Sequence, residues 1–145
     1  MLPSQGLKVS KLADETIMHW DEIRELHAMG MDVQSHTRTH RALHTVPHGD
    51  LVGELTGAKT DLERELGSPV HAISYPIGRS NAALAPVQQA LEDAGYELGF
   101  TNGTGPHLLW GTSNRFDIPR IAMEPDYTGA FFRGIMAVPQ LGYGE

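Results

Sequence analysis

The chain holds eight histidines, and two of them stand four residues apart in the segment Ser35-His36-Thr37-Arg38-Thr39-His40. The segment follows Gly30 and a short apolar run, Met31-Asp32-Val33, so the pair falls where a strand runs out into a loop. Two imidazoles at such a place can close on one divalent cation. Neutral imidazole is the commonest protein ligand for metals, and zinc takes its nitrogen at roughly 2.0–2.1 Å. Spacing alone leaves a plainer alternative open, in which both are loop histidines without a metal. Two ligands also fall short of a catalytic zinc site, which uses three protein ligands and a water. The candidates for the third are His44, a carboxylate of the N-terminal arm such as Asp14, or a residue of another chain. His44 and His48 continue the four-residue spacing, but Pro47 breaks a helix that would align them. They read as exposed loop residues, and His19, His27 and His71 as helix-surface or strand-end residues.

The elements that would carry the pair alternate. Residues 1–18 read as an N-terminal arm with a short strand at Leu7–Val9, and residues 19–145 as one domain. His19 to Met29 has Ile23, Leu26 and Met29 at helical spacing, with Gly30 as its stop. Met31 to Ser35 reads as a strand and Arg41 to His48 as a loop. Asp50 to Leu66 is the clearest helix: Leu51, Leu55, Ala58, Leu62 and Leu66 form an apolar stripe, while Lys59, Asp61, Glu63 and Arg64 face water. Gly53 and Gly57 each weaken it by roughly 1 kcal/mol relative to Ala. Val70 to Tyr75 is a strand that ends at Pro76-Ile77-Gly78. A helix over Ala82–Ala94, opened by Ser80 or Asn81, leads to a strand over Tyr96–Thr101. A last strand centres on Ile118–Ala122. A closing helix, Thr128–Val138, is expected to pack Phe131, Phe132, Ile135 and Met136. Strands separated by helices imply an α/β fold of parallel strands with crossover helices. His36, His40, Tyr75, Thr101 and Asn102 then share the C-terminal rim of the strands, where such folds build their sites.

Composition narrows the partners. The formal charge is −7, with 11 basic and 18 acidic residues in 145. No basic patch is present to release counterions from a nucleic acid. No stretch approaches the ~20 apolar residues of a membrane span. With no cysteine, disulfide and thiolate chemistry are excluded. The Gly-rich run Asn102-Gly103-Thr104-Gly105 lacks the Lys-Ser/Thr of a phosphate loop. Trp110 reads as a packing residue or a sugar-stacking platform.

Four segments together resemble the polysaccharide deacetylase family, carbohydrate esterases that share the NodB homology domain. Trp20-Asp21-Glu22-Ile23-Arg24-Glu25-Leu26 leading to Gly30 is similar to the helix before the family's metal motif. Ser35-His36-Thr37-Arg38-Thr39-His40 is similar to its His-Ser/Thr-x-x-His element. Leu62–Gly67 followed by Ser74-Tyr75-Pro76-Ile77-Gly78-Arg79 resembles its Tyr-Pro-Tyr-Gly region. Ala94-Gly95-Tyr96 through Phe100-Thr101, and Ile118-Pro119-Arg120-Ile121, resemble its last strands. The resemblance implies a distorted (β/α) barrel and hydrolysis of N- or O-linked acetyl groups from a glycan by metal-activated water. It implies His36 and His40 as ligands of a divalent metal, most often zinc. It also implies Tyr75 as donor of an oxyanion-hole N–H, and Arg120 as the cation beside the catalytic carboxylate.

The chain departs from that pattern at the carboxylates. The family's Thr-Phe-Asp-Asp-Gly motif supplies the base and the third metal ligand, and nothing in residues 1–35 matches it. The late Leu-x-His acid is not recognisable around His107. Ser74 stands where many members carry Arg, and Ile77 replaces the second aromatic of Tyr-Pro-Tyr-Gly. The expectation is a partial barrel that pairs as a homodimer, or with a chain that completes it. The alternative function is a catalytically inactive, carbohydrate-binding remnant or fragment.

Overall fold

The computed structural model describes residues 17–78, 84–102, 114–120 and 125–137. The readings made for Leu7–Val9, Asp14, Arg79–Asn81, the Gly103–Gly105 run, His107, Trp110, Ile121–Met123 and Val138 lie outside these residues.

Helix α1 (Trp20–Ala28) opens at His19, whose N–H donates to the Glu22 carboxylate at 2.7 Å. That contact is one half of a capping box. Gly30 follows the helix at φ +93°, a left-handed conformation that costs glycine least. Ile23 and Leu26 are half-buried, whereas Met29 is exposed, so the apolar stripe of α1 ends one turn earlier than its spacing suggests.

The strand expected over Met31–Ser35 contracts to one parallel bridge, between Ser35 and Ile73. Ser35 N–H donates to Ala72 O at 3.1 Å and Ser74 N–H to Ser35 O at 2.9 Å. Just before it, a side chain does the work of a ladder. Gln34 Oε1 accepts the N–H groups of His71 and Ala72 at 3.0 and 2.9 Å. Those donors are satisfied without further strand pairing.

Helix α2 (His48–Leu66) starts two residues earlier than expected, because Pro47 sits at its N-cap rather than inside it. Proline is tolerated there, since its missing N–H would lack an intrahelical acceptor in any case. Gly67 closes α2 at φ +65°. Leu51, Leu55 and Ala58 are buried and Leu62 packs against the core, as the stripe requires. Lys59 does not face water: its side chain is only 16% exposed. It bonds to Val70 O, pairs with Glu63 at 2.9 Å and lies 5.5 Å from the centre of the Tyr96 ring. Its methylenes lie along the protein while the ammonium finds polar partners. Gly57 also has a use, because a Cβ there would lie 3.0 Å from the Arg38 stem. The bare helix surface lets Arg38 cross it to Asp61 at 3.1 Å.

Strands β1 (Ala72–Ser74) and β2 (Leu98–Phe100) pair in parallel, with Ile73 opposite Gly99. Helix α3 (Ala85–Asp93) crosses between them and packs on α2. Its N-cap is Leu84, with Pro86 in the first turn. A parallel bridge from Phe100 to Ile118 adds a fourth segment. The segments at Ser35, β1, β2 and Ile118 thus lie side by side in chain order, and helices make the first two crossovers. This is an α/β arrangement of parallel strands, as the alternation predicts.

The core gathers where α2 and α3 meet the sheet, around Leu55, Val70, Ile73, Leu91, Tyr75 and Tyr96. Gly99 makes room for one of its largest members, since a Cβ there would lie 2.0 Å from the Tyr75 hydroxyl. Helix α4 (Gly129–Ala137) corrects an expectation. Ile135 is buried, but Phe131, Phe132 and Met136 are 46%, 45% and 61% exposed.

Candidate metal centre at the His36–His40 loop

His36 is held from two directions. Its neighbour Ser35 is 2% exposed and pinned into the β1 ladder. The Ser35 hydroxyl also hydrogen-bonds to the Tyr96 hydroxyl at 2.8 Å, which bonds in turn to Leu55 O at 3.0 Å. Burial pushes the Tyr96 phenol up to about 12, so it stays a neutral hydroxyl. The imidazole of His36 turns back onto β1, with Nδ1 2.7 Å from Ser74 O and 2.9 Å from Ser74 Oγ. A carbonyl oxygen can only accept, so Nδ1 carries the proton in the neutral ring and Nε2 keeps its lone pair. Metal-binding histidines commonly have this arrangement, one nitrogen donating to a carbonyl while the other faces the cation.

The His40 ring stands beside it, with centroids 4.9 Å apart and planes inclined by 64°. A tight loop brings it there. Thr37 and His40 have φ +65° and +60°, a region that residues other than glycine enter seldom, and a β-branched residue least of all. Between them, the Thr39 N–H donates to Glu54 Oε2 at 3.0 Å and the Thr39 hydroxyl donates to Glu54 Oε1. Glu54 lies on α2 and is 7% exposed. Burial raises its pKa, but the hydrogen bonds from Thr39 and Arg38 and the nearby Arg41 charge outweigh this and hold it below the usual carboxylate range. Glu54 was missed in the sequence because it sits one residue before Leu55, at the margin of the stripe. A lone acidic residue at the edge of an apolar helix face is its only signal.

The pair fits two positions of a cation site by donor type and by proximity, and His36 also by tautomer. Among the described residues, no third His, Cys, Asp or Glu joins them. His44 is exposed on the 3-10 turn Leu43–Thr45 and takes no part in such a group.

The other two site candidates lie past the ends of β1 and of the Ile118 segment, which β2 separates. Tyr75 is 1% exposed, and its hydroxyl donates to Phe116 O at 2.9 Å. Its main-chain N–H, the one expected in an oxyanion hole, donates to Phe100 O at 3.0 Å and is engaged in this structure. Arg120 reaches back to the end of β2, with Nε donating to Thr101 O at 2.9 Å and a guanidinium N–H donating to Asn102 Oδ1. His71 and His27 have structural partners, Glu97 at 2.8 Å and Ser68 at 3.2 Å. A cleft of about 310 Å³ opens between α1 and α2, lined by Trp20, Ile23, Leu26 and Val33, and reaches His36 and Thr37. No described helix is long and apolar enough to cross a membrane.

The polysaccharide deacetylase sequence model matches residues 9–99, more than half of the chain. No curated protein matches the sequence. Among solved structures, the fold is similar to the Streptococcus pyogenes deacetylase PplD in complex with acetate, with a TM-score of 0.73 and 23% identity over 86% of this chain and 54% of that one. A polysaccharide deacetylase of Bacillus cereus gives 0.69 and 26% over 81% of this chain and 36% of that one. A de-N-acetylase of Aggregatibacter actinomycetemcomitans gives 0.66 and 16% over 92% and 57%. This chain spans between about a third and three-fifths of the length of these structures. Its parallel strands and crossover helices are therefore part of a deacetylase-type fold, and the chain belongs to the polysaccharide deacetylase family.

Proposed function

We propose that this chain carries the imidazole half of a metal-dependent deacetylase site, acting on the N- or O-acetyl groups of a glycan or a related small ester or amide. The observation that carries the reading is the bond from His36 Nδ1 to Ser74 O, which leaves Nε2 with its lone pair on a ring that stands 4.9 Å from that of His40. His36 and His40 would hold a divalent cation, zinc by preference. That cation would supply a water of lowered pKa and polarise the acetyl carbonyl.

The remaining roles belong to the chain itself. His36 is oriented by Ser74, whose carbonyl takes the Nδ1–H and leaves Nε2 as the ligand nitrogen of the neutral ring. Arg120, bonded to Thr101 O and Asn102, sits at the rim as the cation that would pair with a carboxylate base supplied from outside the described residues. Tyr75 could give its N–H to an oxyanion only by leaving Phe100 O, so its first duty is to hold the floor of the site. The third ligand would come from the same source as the base. A second copy, or a chain that completes the barrel, would meet the apolar cleft at Trp20 and Ile23.

The absence of a third ligand among the described residues favours a second reading, an inactive carbohydrate-binding remnant. Acetate release separates the two. Purified without a histidine tag and loaded with zinc, the chain is expected to release acetate from acetylated chitooligosaccharide, acetylxylan or an aryl acetate. His36→Ala or a chelator should abolish that release. No release from any of the three, with substoichiometric zinc, supports the remnant.

A further inference from the structure

We infer that Glu54 is the positioning residue that sets His40 opposite His36. The inference rests on the reading of this pair as a cation site. It concerns a carboxylate that would never touch the metal or the substrate.

Three observations converge on it. First, the loop is in a costly conformation: Thr37 and His40 both have positive φ, which the surroundings must offset. Second, the loop's other side-chain holds are surface ion pairs, Arg38 with Asp61 at 3.1 Å and Arg41 with Asp50 at 3.4 Å, a kind of contact that stabilises little. The Thr37 hydroxyl is buried and has no hydrogen-bond partner, and the His40 side chain is exposed. Third, Glu54 is buried on a helix whose register is fixed by Leu51, Leu55 and Ala58. Both of its oxygens accept from Thr39, one from the N–H and one from the hydroxyl, and the Arg38 main chain adds a further bond. A carboxylate accepting a main-chain and a side-chain donor from one residue fixes that residue's position and direction together. Such charge-assisted bonds are about twice as strong as neutral ones. Thr39 is adjacent to His40, so the Thr39 anchor determines where the His40 Cα leaves the loop. His36 is fixed by the sheet and His40 by α2 through Glu54. The distance between the imidazoles is therefore a distance between two secondary-structure elements.

The test uses the whole chain, first without metal. Ring-to-ring nuclear Overhauser effects between His36 and His40 are expected in the wild type and in Glu54→Gln, whose amide can still accept from the N–H and donate to the hydroxyl. They should be lost in Glu54→Ala while the Tyr75 and Tyr96 ring signals stay in place. Cobalt(II) is then titrated as the probe, with absorption as the readout. Glu54→Ala is expected to weaken its binding 10–100-fold, the usual effect of losing a group that orients a ligand. Leu91→Ala, a buried substitution on α3, should lower the melting temperature without moving the cobalt affinity. Glu54→Ala with intact ring contacts and intact cobalt affinity would overturn the inference while leaving the metal reading in place. Loss of the ring contacts in a protein whose wild type ignores cobalt would uphold the positioning role and end the metal reading.

Discussion

His36 Nδ1 lies 2.7 Å from the carbonyl oxygen of Ser74, and that single contact decides which nitrogen of the ring can serve as a ligand. It ties a loop histidine to a strand of the sheet, so ligand geometry and fold stability share one bond. The neutral ring is expected to be the Nδ1–H tautomer. Nitrogen-15 chemical shifts at alkaline pH should show a protonated Nδ1 and a bare Nε2 for His36. A bare Nδ1 would remove the basis for the site.

The buried hydroxyl relay behind His36 should matter to stability. Tyr96→Phe removes the partner of Ser35 Oγ and of Leu55 O at one stroke. Stranded buried polar groups cost about 1–3 kcal/mol, and urea unfolding should register a loss of that order. Cobalt affinity should fall as well, because Ser35 is the hinge from which His36 springs.

Gly99 is predicted to resist substitution for reasons of space. A methyl group there would overlap the Tyr75 hydroxyl and press on its ring carbon at 2.8 Å and on the Phe116 backbone at 3.1 Å. Overpacking of this kind costs about 1–3 kcal/mol. Gly99→Ala should lower the melting temperature, and adding Tyr75→Phe should recover only part of it, since the ring carbon and the backbone contact remain.

Stability should fall in acid partly through Glu54. Its pKa is held below the free value of 4.5, so the unfolded chain takes up that proton more readily than the folded one. The stability it contributes is complete above 4.5 and drains as the pH falls through its depressed folded value. Glu63, lowered by Val70 N–H and Lys59, drains over the same range. The difference in urea midpoint between wild type and Glu54→Gln should therefore be constant near neutrality and shrink below about pH 4.5. A difference that grows in acid would contradict the sign.

Much of this arrangement was legible in the residues. The stripe of α2, the glycines that stop α1 and α2, the alternation of strand and helix, and the four-residue histidine spacing all act locally, through periodicity and φ preference. What was hidden depends on partners far along the chain. Lys59 reads as a solvated charge until Val70 and Tyr96 are folded against it. Glu54 reads as a margin residue until the loop closes on it. The segment before Ser35 has strand-like residues, yet Gln34 supplies the hydrogen bonds that further pairing would have made. Phe131 and Phe132 look like core residues by type, but α4 leaves them nearly half exposed. The Asp-Asp pair that the family resemblance calls for has no match in residues 1–35, and the spacing of the two histidines cannot supply it.

Zinc K-edge absorption fine structure of the zinc-loaded chain reads out whether two imidazoles share one cation. Two imidazole nitrogens at roughly 2.0–2.1 Å are expected, falling to one in His40→Ala. A zinc shell of oxygen alone, or one unchanged by loss of either histidine, would contradict a shared cation.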